Sequence, residues 1–383
     1  MNEPIRIALF GVDRTDARLV RRLAGLRDGG AVVSPFSFDR NRGSVVVEAD
    51  GVNLGRTYDR RYAQRGMALA RAVTVLWGVR RQLAAVDRFY AINADNAVLA
   101  LAARLMARSA APLAVEIADV QPFMRRRGPG PALARGLERA VLRRSDLVVT
   151  TSPSYVRNWF EPVHNRGDAI IVLENKVYPP PPIVSHTAAP AAGPPWVVGW
   201  FGALNCERSF RLILDMASEL GGRVRFLLAG YPTFAELAVF QRQVDQATNA
   251  DYLGPYRYPT DLPGLYSRVH LAWGLDFTDR AGNSSWSLRN RIYESAACGV
   301  PLLAQAGTET GEWVRRHSTG WALTGDVTTA LGQLLRSLEP VTWSAARRSV
   351  LAAPGSVVFG GDDHRRLVQR FARQRDGSAS VQG

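Results

Sequence analysis

Short apolar runs alternate with amphipathic helical runs along almost the whole chain, and the alternation is interrupted once, near its middle. The first half reads as strands at 5–10, 31–36, 44–48, 88–92, 113–117, 147–150 and 169–173. Between them lie helical runs at 14–26, 62–83, 96–108, 131–144 and 155–160. The interruption is a Pro/Ala-rich stretch, 179–195, that opens with four consecutive prolines. The alternation then restarts at 196–201 and holds to 319–323. Strands regularly followed by helices pair in parallel and need helices on both faces. The chain is therefore predicted to be α/β, with two Rossmann-like domains. The boundaries that follow are a first domain 1–178, a linker 179–195 and a second domain 196–352. A C-terminal helix 353–375 packs back toward the first domain, and a Ser/Gly-rich tail 376–383 is disordered.

Composition narrows the function classes. The chain has 383 residues, 46% apolar and 21% charged, as a soluble globular protein does. No apolar run is long enough to span a bilayer, and the N-terminus lacks the pattern of a signal peptide. Two cysteines, Cys206 and Cys298, make no disulfide framework. A cytoplasmic protein, peripheral on the inner face of a membrane at most, is expected. The formal charge is +14, and Lys176 is the only lysine. That sign favours anionic partners: a nucleoside diphosphate or an anionic membrane surface. The cluster Arg125, Arg126, Arg127, Arg135, Arg139, Arg143 and Arg144 is either a solvated face or a lipid-docking patch. Nucleic acid is not an expected partner, because no nucleic-acid-binding signature occurs.

The most informative stretch is 284–304. It reads as a helix over 287–298, capped by serine and ended by Gly299, followed by a buried strand 300–304. Arg289 and Arg291 fall in its first turns, the wrong sign for a helix N-terminus unless an anion is bound there. Asn290, Arg291 and Glu294 share a face. Arginine for phosphate and glutamate for vicinal ribose hydroxyls together suit a nucleotide sugar. An exposed Arg291–Glu294 ion pair fits the spacing equally well. A second anion-ready turn follows the strand at 196–201: Gly202 allows close backbone approach, Asn205 lies in the loop, and Arg208 opens a helix. Tyr256 follows another strand and either flanks a base or is buried. In the first half, Gly11, Asp95 and Asp119 follow strands, where ligands of parallel sheets bind. For the two aspartates, helix capping competes with a general-base role.

These landmarks resemble those of GT-B glycosyltransferases, most closely the large retaining family 4. Phe201-Gly202-Ala203-Leu204 with Glu207-Arg208 is similar to the family's Gly-rich turn and basic phosphate ligand. Leu227-Leu228-Ala229-Gly230, Tyr252-Leu253-Gly254 and Leu262-Pro263-Gly264-Leu265-Tyr266 follow in family order. The segment Asn290-Arg291-Ile292-Tyr293-Glu294 through Gly299-Val300-Pro301 resembles the family's nucleotide signature, and Thr319-Gly320 the dipeptide after it. The chain departs from the pattern at three places. Trp286 stands where the first of two glutamates is usual, Ala203 replaces the arginine of the glycine turn, and a Gly-Gly loop is missing after Gly11.

The resemblance implies the GT-B architecture, with parallel sheets facing across a cleft. It implies transfer of a sugar from a nucleoside-diphosphate sugar to a hydroxyl of a saccharide, lipid-linked saccharide or natural product. Arg208 and Arg291 then stabilise the departing phosphates, with Asp119 a candidate base. Gly202, Asn205, Tyr256, Asn290 and Glu294 bind the donor, and Gly11, Asp95 and Asp119 lie on the acceptor side. Retention of configuration is expected, with no cofactor and no metal, since no Asp-x-Asp occurs. The competing expectations are a scaffold that binds a nucleotide sugar or a protein without turnover, and a GT-B-like sugar-nucleotide epimerase.

Overall fold

The computed structural model describes residues 3–14, 16–39, 51–56, 62–166, 170–181 and 189–379. The chain forms two compact units, Met1–Glu174 with Gly360–Gly383, and Asn175–Phe359. The expected strand at 44–48 lies outside the described residues.

Among the described residues the first unit is built on seven parallel strands: β1 (Arg6–Gly11), β2 (Val32–Asp39), β3 (Val52–Arg56), β4 (Arg88–Ile92), β5 (Leu113–Ile117), β6 (Leu147–Thr150) and β7 (Ile170–Val172). Their order is β3-β2-β1-β4-β5-β6-β7. The described residues of the second unit form six: β8 (Trp196–Leu204), β9 (Val224–Pro232), β10 (Ala250–Tyr252), β11 (Leu271–Trp273), β12 (Leu302–Gln305) and β13 (Gly320–Leu323). They run in the order β10-β9-β8-β11-β12-β13, again with every pair parallel. Both sheets reverse their winding beside the first strand of the unit, between β1 and β4 and between β8 and β11. Loops leaving the C-terminal ends of two such strands diverge, and ligands of doubly wound sheets bind in the gap.

Alternation along β8 shows why this sequence makes a buried central strand. Trp196, Val198, Trp200 and Leu204 enter one core cluster, and Phe201 enters the cluster on the other face. The edge strand β3 lacked such a signal, because only Leu54 of its five residues is buried. The helical stretch 62–83 is two helices, Tyr62–Gly78 and Arg80–Ala84. The segment expected as a helix over 155–160 is a π-helical run, Val156–His164, ended by Asn165 in the left-handed conformation.

The helix Gly361–Ala379 belongs to the first unit and extends four residues into the tail expected to be disordered. It packs on the helix Ala17–Asp28, where a Cβ on Gly25 would lie 2.3–2.5 Å from the His364 ring. Beneath that crossing is a buried polar network. Arg22 donates from Nε and Nη2 to the Glu116 carboxylate at 2.9 and 3.1 Å, and from Nη2 to the Leu173 carbonyl. Tyr90 donates its hydroxyl to the same carboxylate at 2.6 Å. Arg22 Nη1 lies 3.2 Å from His364 Nε2, and His364 Nδ1 lies 2.6 Å from the Gly360 carbonyl. A guanidinium can only donate, so Nε2 accepts and Nδ1 carries the proton. Burial, then the Arg22 charge, hold His364 down to about 4. Burial alone would raise Glu116, but the paired Arg22 outweighs it and holds the carboxyl below its usual value.

Candidate functional site

The C-terminal ends of β8 and β11 place most of the donor-side candidates on one edge of the second sheet. Gly202 takes φ +107°, and its open side faces Tyr256 Oη at 3.7 Å and Arg291 Nε and Nη2 at 3.8 Å from where a Cβ would sit. Two expected residues from distant segments, Tyr256 and Arg291, therefore converge on a third, Gly202. Gly230 of β9 packs against the same turn, with the Gly202 carbonyl oxygen 2.0 Å from the position of any Cβ. Gly202 and Gly230 are paired within the sheet, and β8 runs on to Leu204, so the turn expected from residue 202 begins only after Leu204; a glycine at 230 lets the two backbones approach this closely.

Arg291 does not extend outward as its position in a first turn suggests. It is only 8% exposed, and it donates from Nε to the Phe201 carbonyl and from Nη2 to the Ala203 carbonyl. The guanidinium thus braces the end of β8 around Gly202. Burial lowers its pKa, and Tyr266, Glu294 and Tyr256 work against that shift. Glu294 is 4% exposed, so the exposed-ion-pair reading of Arg291 and Glu294 does not hold. Burial and the nearby Glu294 push the Cys298 thiol up to about 12.

The helix bearing these residues is shorter than the sequence implies. It runs Asn290–Ala297, preceded by a separate turn, Asn283–Trp286, and an extended link through Ser287. Ser287 returns its hydroxyl to the Asn283 carbonyl, closing the first turn instead of capping the second. Thr310 then takes the link's backbone groups, donating to the Ser287 carbonyl at 3.0 Å and accepting from Arg289 N–H at 3.4 Å. Arg289 is no phosphate ligand, because it pairs with buried Asp276. Asn290 is held by Asn175, which donates to its Oδ1 at 2.7 Å. The buried strand expected at 300–304 is β12, Leu302–Gln305, and that at 252–254 is β10, Ala250–Tyr252.

Arg208 stands in the first turn of the helix Glu207–Leu220, exposed, with its guanidinium 4.8 Å from the centre of the Phe277 ring. Arg280 lies over the same ring at 5.2 Å. Two cations therefore flank one aromatic at the reversal point of the sheet, where an anion would neutralise both. Asn205 sits in the loop between, its carbonyl facing the Thr278 hydroxyl at 3.5 Å. Asp276 fixes the exit loop of β11: it accepts from Thr278 N–H and Oγ1 at 3.0 and 2.6 Å and from Ser284 Oγ at 2.9 Å. Asp276, Phe277 and Arg280 were not singled out from sequence. Their position directly after a strand was the available signal.

In the first unit, Gly11 ends β1, and a side chain there would strike Leu19 at 2.6 Å. Asp95 lies in the first turn of Ala94–Met106, whose N-cap, Asn93, takes φ 73° with no side-chain capping bond. Asp119 is about half exposed and pairs with Arg18 at 3.2 Å. Neither aspartate is the N-cap that the competing reading allowed.

No protein-family model matches the chain. Over 379 residues it is 34% identical to the succinoglycan biosynthesis protein ExoL of Rhizobium meliloti (strain 1021), covering 96% of this chain and 93% of that protein. The chain belongs to the ExoL family and has the GT-B glycosyltransferase fold. Among solved structures, sucrose-phosphate synthase from Thermosynechococcus elongatus matches with a TM-score of 0.71 at 14% identity, covering 98% of this chain and all of that one. Anabaena HepE in complex with UDP and glucose matches with a TM-score of 0.61 at 16% identity, over 98% of this chain and all of that one. The lipopolysaccharide outer core galactosyltransferase WaaB matches with a TM-score of 0.58 at 12% identity, over 95% of this chain and all of that one. At these identities the structures establish the GT-B fold.

Proposed function

We propose that the protein transfers a sugar from a nucleoside-diphosphate sugar to a hydroxyl of a saccharide or lipid-linked saccharide during assembly of a polysaccharide. The observation that carries this reading is the convergence of Arg291 and Tyr256 on the open side of Gly202, at the sheet's reversal point. The succinoglycan role in the name of the 34% identical relative supports the process.

In this reading the diphosphate lies over the Gly202 turn. Arg208, the N-terminus of its helix and the Nη1 of Arg291 take up the charge that grows on the leaving group. Arg280 adds a second cation beside Arg208. Glu294 accepts hydrogen bonds from the ribose hydroxyls, and Tyr256, Asn205 and Asn290 frame the nucleotide. Arginines do the work that a bridging divalent ion does elsewhere, so turnover is metal-independent. Retention follows if the departing phosphate itself takes the acceptor proton. Asp119, with one oxygen engaged by Arg18, and Asp95 remain the acceptor-side candidates, beside Gly11. Cytoplasmic placement belongs to the same proposal.

Bound UDP and UDP-glucose in HepE make uridine nucleotides the first probes, followed by GDP- and dTDP-sugars. A donor at one hundred times its Kd stabilises the fold by about 2.7 kcal/mol. A thermal-shift screen should therefore show one nucleotide class raising the melting temperature, with EDTA-insensitive sugar transfer from that donor. If no nucleoside diphosphate or its sugar raises it, the reading fails.

A further inference from the structure

The first unit carries an outward face that the donor chemistry does not explain. Leu133 and Leu137, four residues apart on the helix Pro129–Arg143, are 66% and 61% exposed. Phe123 is 49% exposed, and its ring lies beside the start of that helix, with Cζ 3.5 Å from where a Cβ on Gly130 would be. The loop carrying it is clipped to the helix by Arg135, which donates to the carbonyls of Met124 at 2.6 Å and Arg126 at 3.0 Å. Arg126 and Arg127 are exposed on that loop, and exposed Arg144 continues the line of the two leucines at the far end.

Charge on this face is one-sided. Residues 121–144 hold seven arginines and one acid, Glu138. Glu138 is buried, accepting from Trp159 Nε1 at 2.9 Å, so it offsets none of the surface charge. Large exposed apolar groups flanked by the exposed Arg126, Arg127 and Arg144 suit a surface that is apolar beneath and anionic on top. A second copy of the same face would bring like charges together. RNA would leave the leucines without a use, since bases stack on aromatics and guanidinium planes. Among the described residues no helix is long and apolar enough to cross a membrane.

We propose that Phe123, Leu133 and Leu137, surrounded by Arg126, Arg127 and Arg144, dock the protein on an anionic phospholipid bilayer. The apolar side chains enter the headgroup boundary and the arginines take lipid phosphates, so both halves of the patch are needed. The inference stands apart from the donor reading.

The test is co-flotation of the full-length protein with phosphatidylcholine vesicles, with and without phosphatidylglycerol, at low and high salt. Wild type should float with the phosphatidylglycerol vesicles at low salt, and much less at high salt or with phosphatidylcholine alone. L133E/L137E should lose roughly tenfold or more of the bound fraction, and L133S/L137S should also weaken it. R126Q/R127Q should flatten the salt dependence. Exposed positions leave the fold intact, which unchanged melting and nucleotide binding in the same preparations confirm. Wild type that stays unbound to anionic vesicles overturns the proposal. So does a leucine variant that floats like wild type. Lipid-free self-association abolished by L133E/L137E would instead make this face an interface between copies.

Discussion

Replacing Glu116 by glutamine should cost more than any other isosteric change in the first unit. The native carboxylate accepts from Arg22 twice and from Tyr90 once, at 2.6–3.1 Å, and all of it is buried. Glutamine keeps the shape but offers one acceptor oxygen and an amide that can only donate. Arg22, itself fully buried, then faces an N–H and loses its counter-charge. Removing one partner of a buried ion pair costs about 3–5 kcal/mol. For a unit of this size each kcal/mol moves the midpoint by roughly 2–4 °C, so the first unit should melt roughly 6–20 °C lower. Tyr90→Phe removes one hydrogen bond to a charged acceptor and should cost about 1.5–3 kcal/mol. Differential scanning calorimetry reads both. Nucleotide binding by the second unit at low temperature should be unchanged, which separates loss of stability from loss of the site. If E116Q melts within 2 °C of wild type, about the effect of 1 kcal/mol, the pair does not hold this unit together.

Acid should loosen the same network. His364 is held at about 4 against an ordinary value of 6.5, so the unfolded chain binds its proton first. Stability from this group is complete above pH 6.5 and falls as pH drops toward 4, by roughly 3 kcal/mol in all; a His364→Leu variant should show a shallower acid limb in pH-dependent melting. Gly230→Ala puts a methyl 2.0 Å from the Gly202 carbonyl oxygen at φ +119°, so the turn must shift. Calorimetric titration should find nucleoside-diphosphate affinity lowered by about tenfold or more, near 1.4 kcal/mol. Arg291→Lys cannot reach both carbonyls and should weaken the same ligand to a similar degree. Glu294→Gln should abolish the preference for ribose over 2′-deoxyribose diphosphates, measured as the ratio of their Kd values; an unchanged ratio removes the ribose role.

Strands flanked by their own turn signals were legible to the residue. Those at 88–92, 113–117 and 147–150 have the expected limits because each is a buried apolar run between polar ends. The break before Asn290 was not legible. Its cause is Thr310, a residue of the next helix that takes the backbone groups a continuous helix would have used. For the same reason no pattern in the helix Ala17–Asp28 marks Arg22 as buried: its partner lies 94 residues away. At the site, residue types were readable but their directions were not. Arg291 was expected to point at a ligand, and it spends two of its three nitrogens on the carbonyls of the Gly202 turn.

The return of the last helix to the first unit has a consequence for biosynthesis. The domain that leaves the ribosome first is completed last, after the whole second unit has emerged. Until Gly360 and the residues beyond it arrive, the groove over Leu26 and Tyr90 has nothing to receive, and Arg22 lacks the imidazole that caps it. A chain that stops at that boundary therefore has one finished domain and one uncovered apolar groove. Such a groove is what chaperones and proteases act on, so incomplete copies carry their own mark for removal.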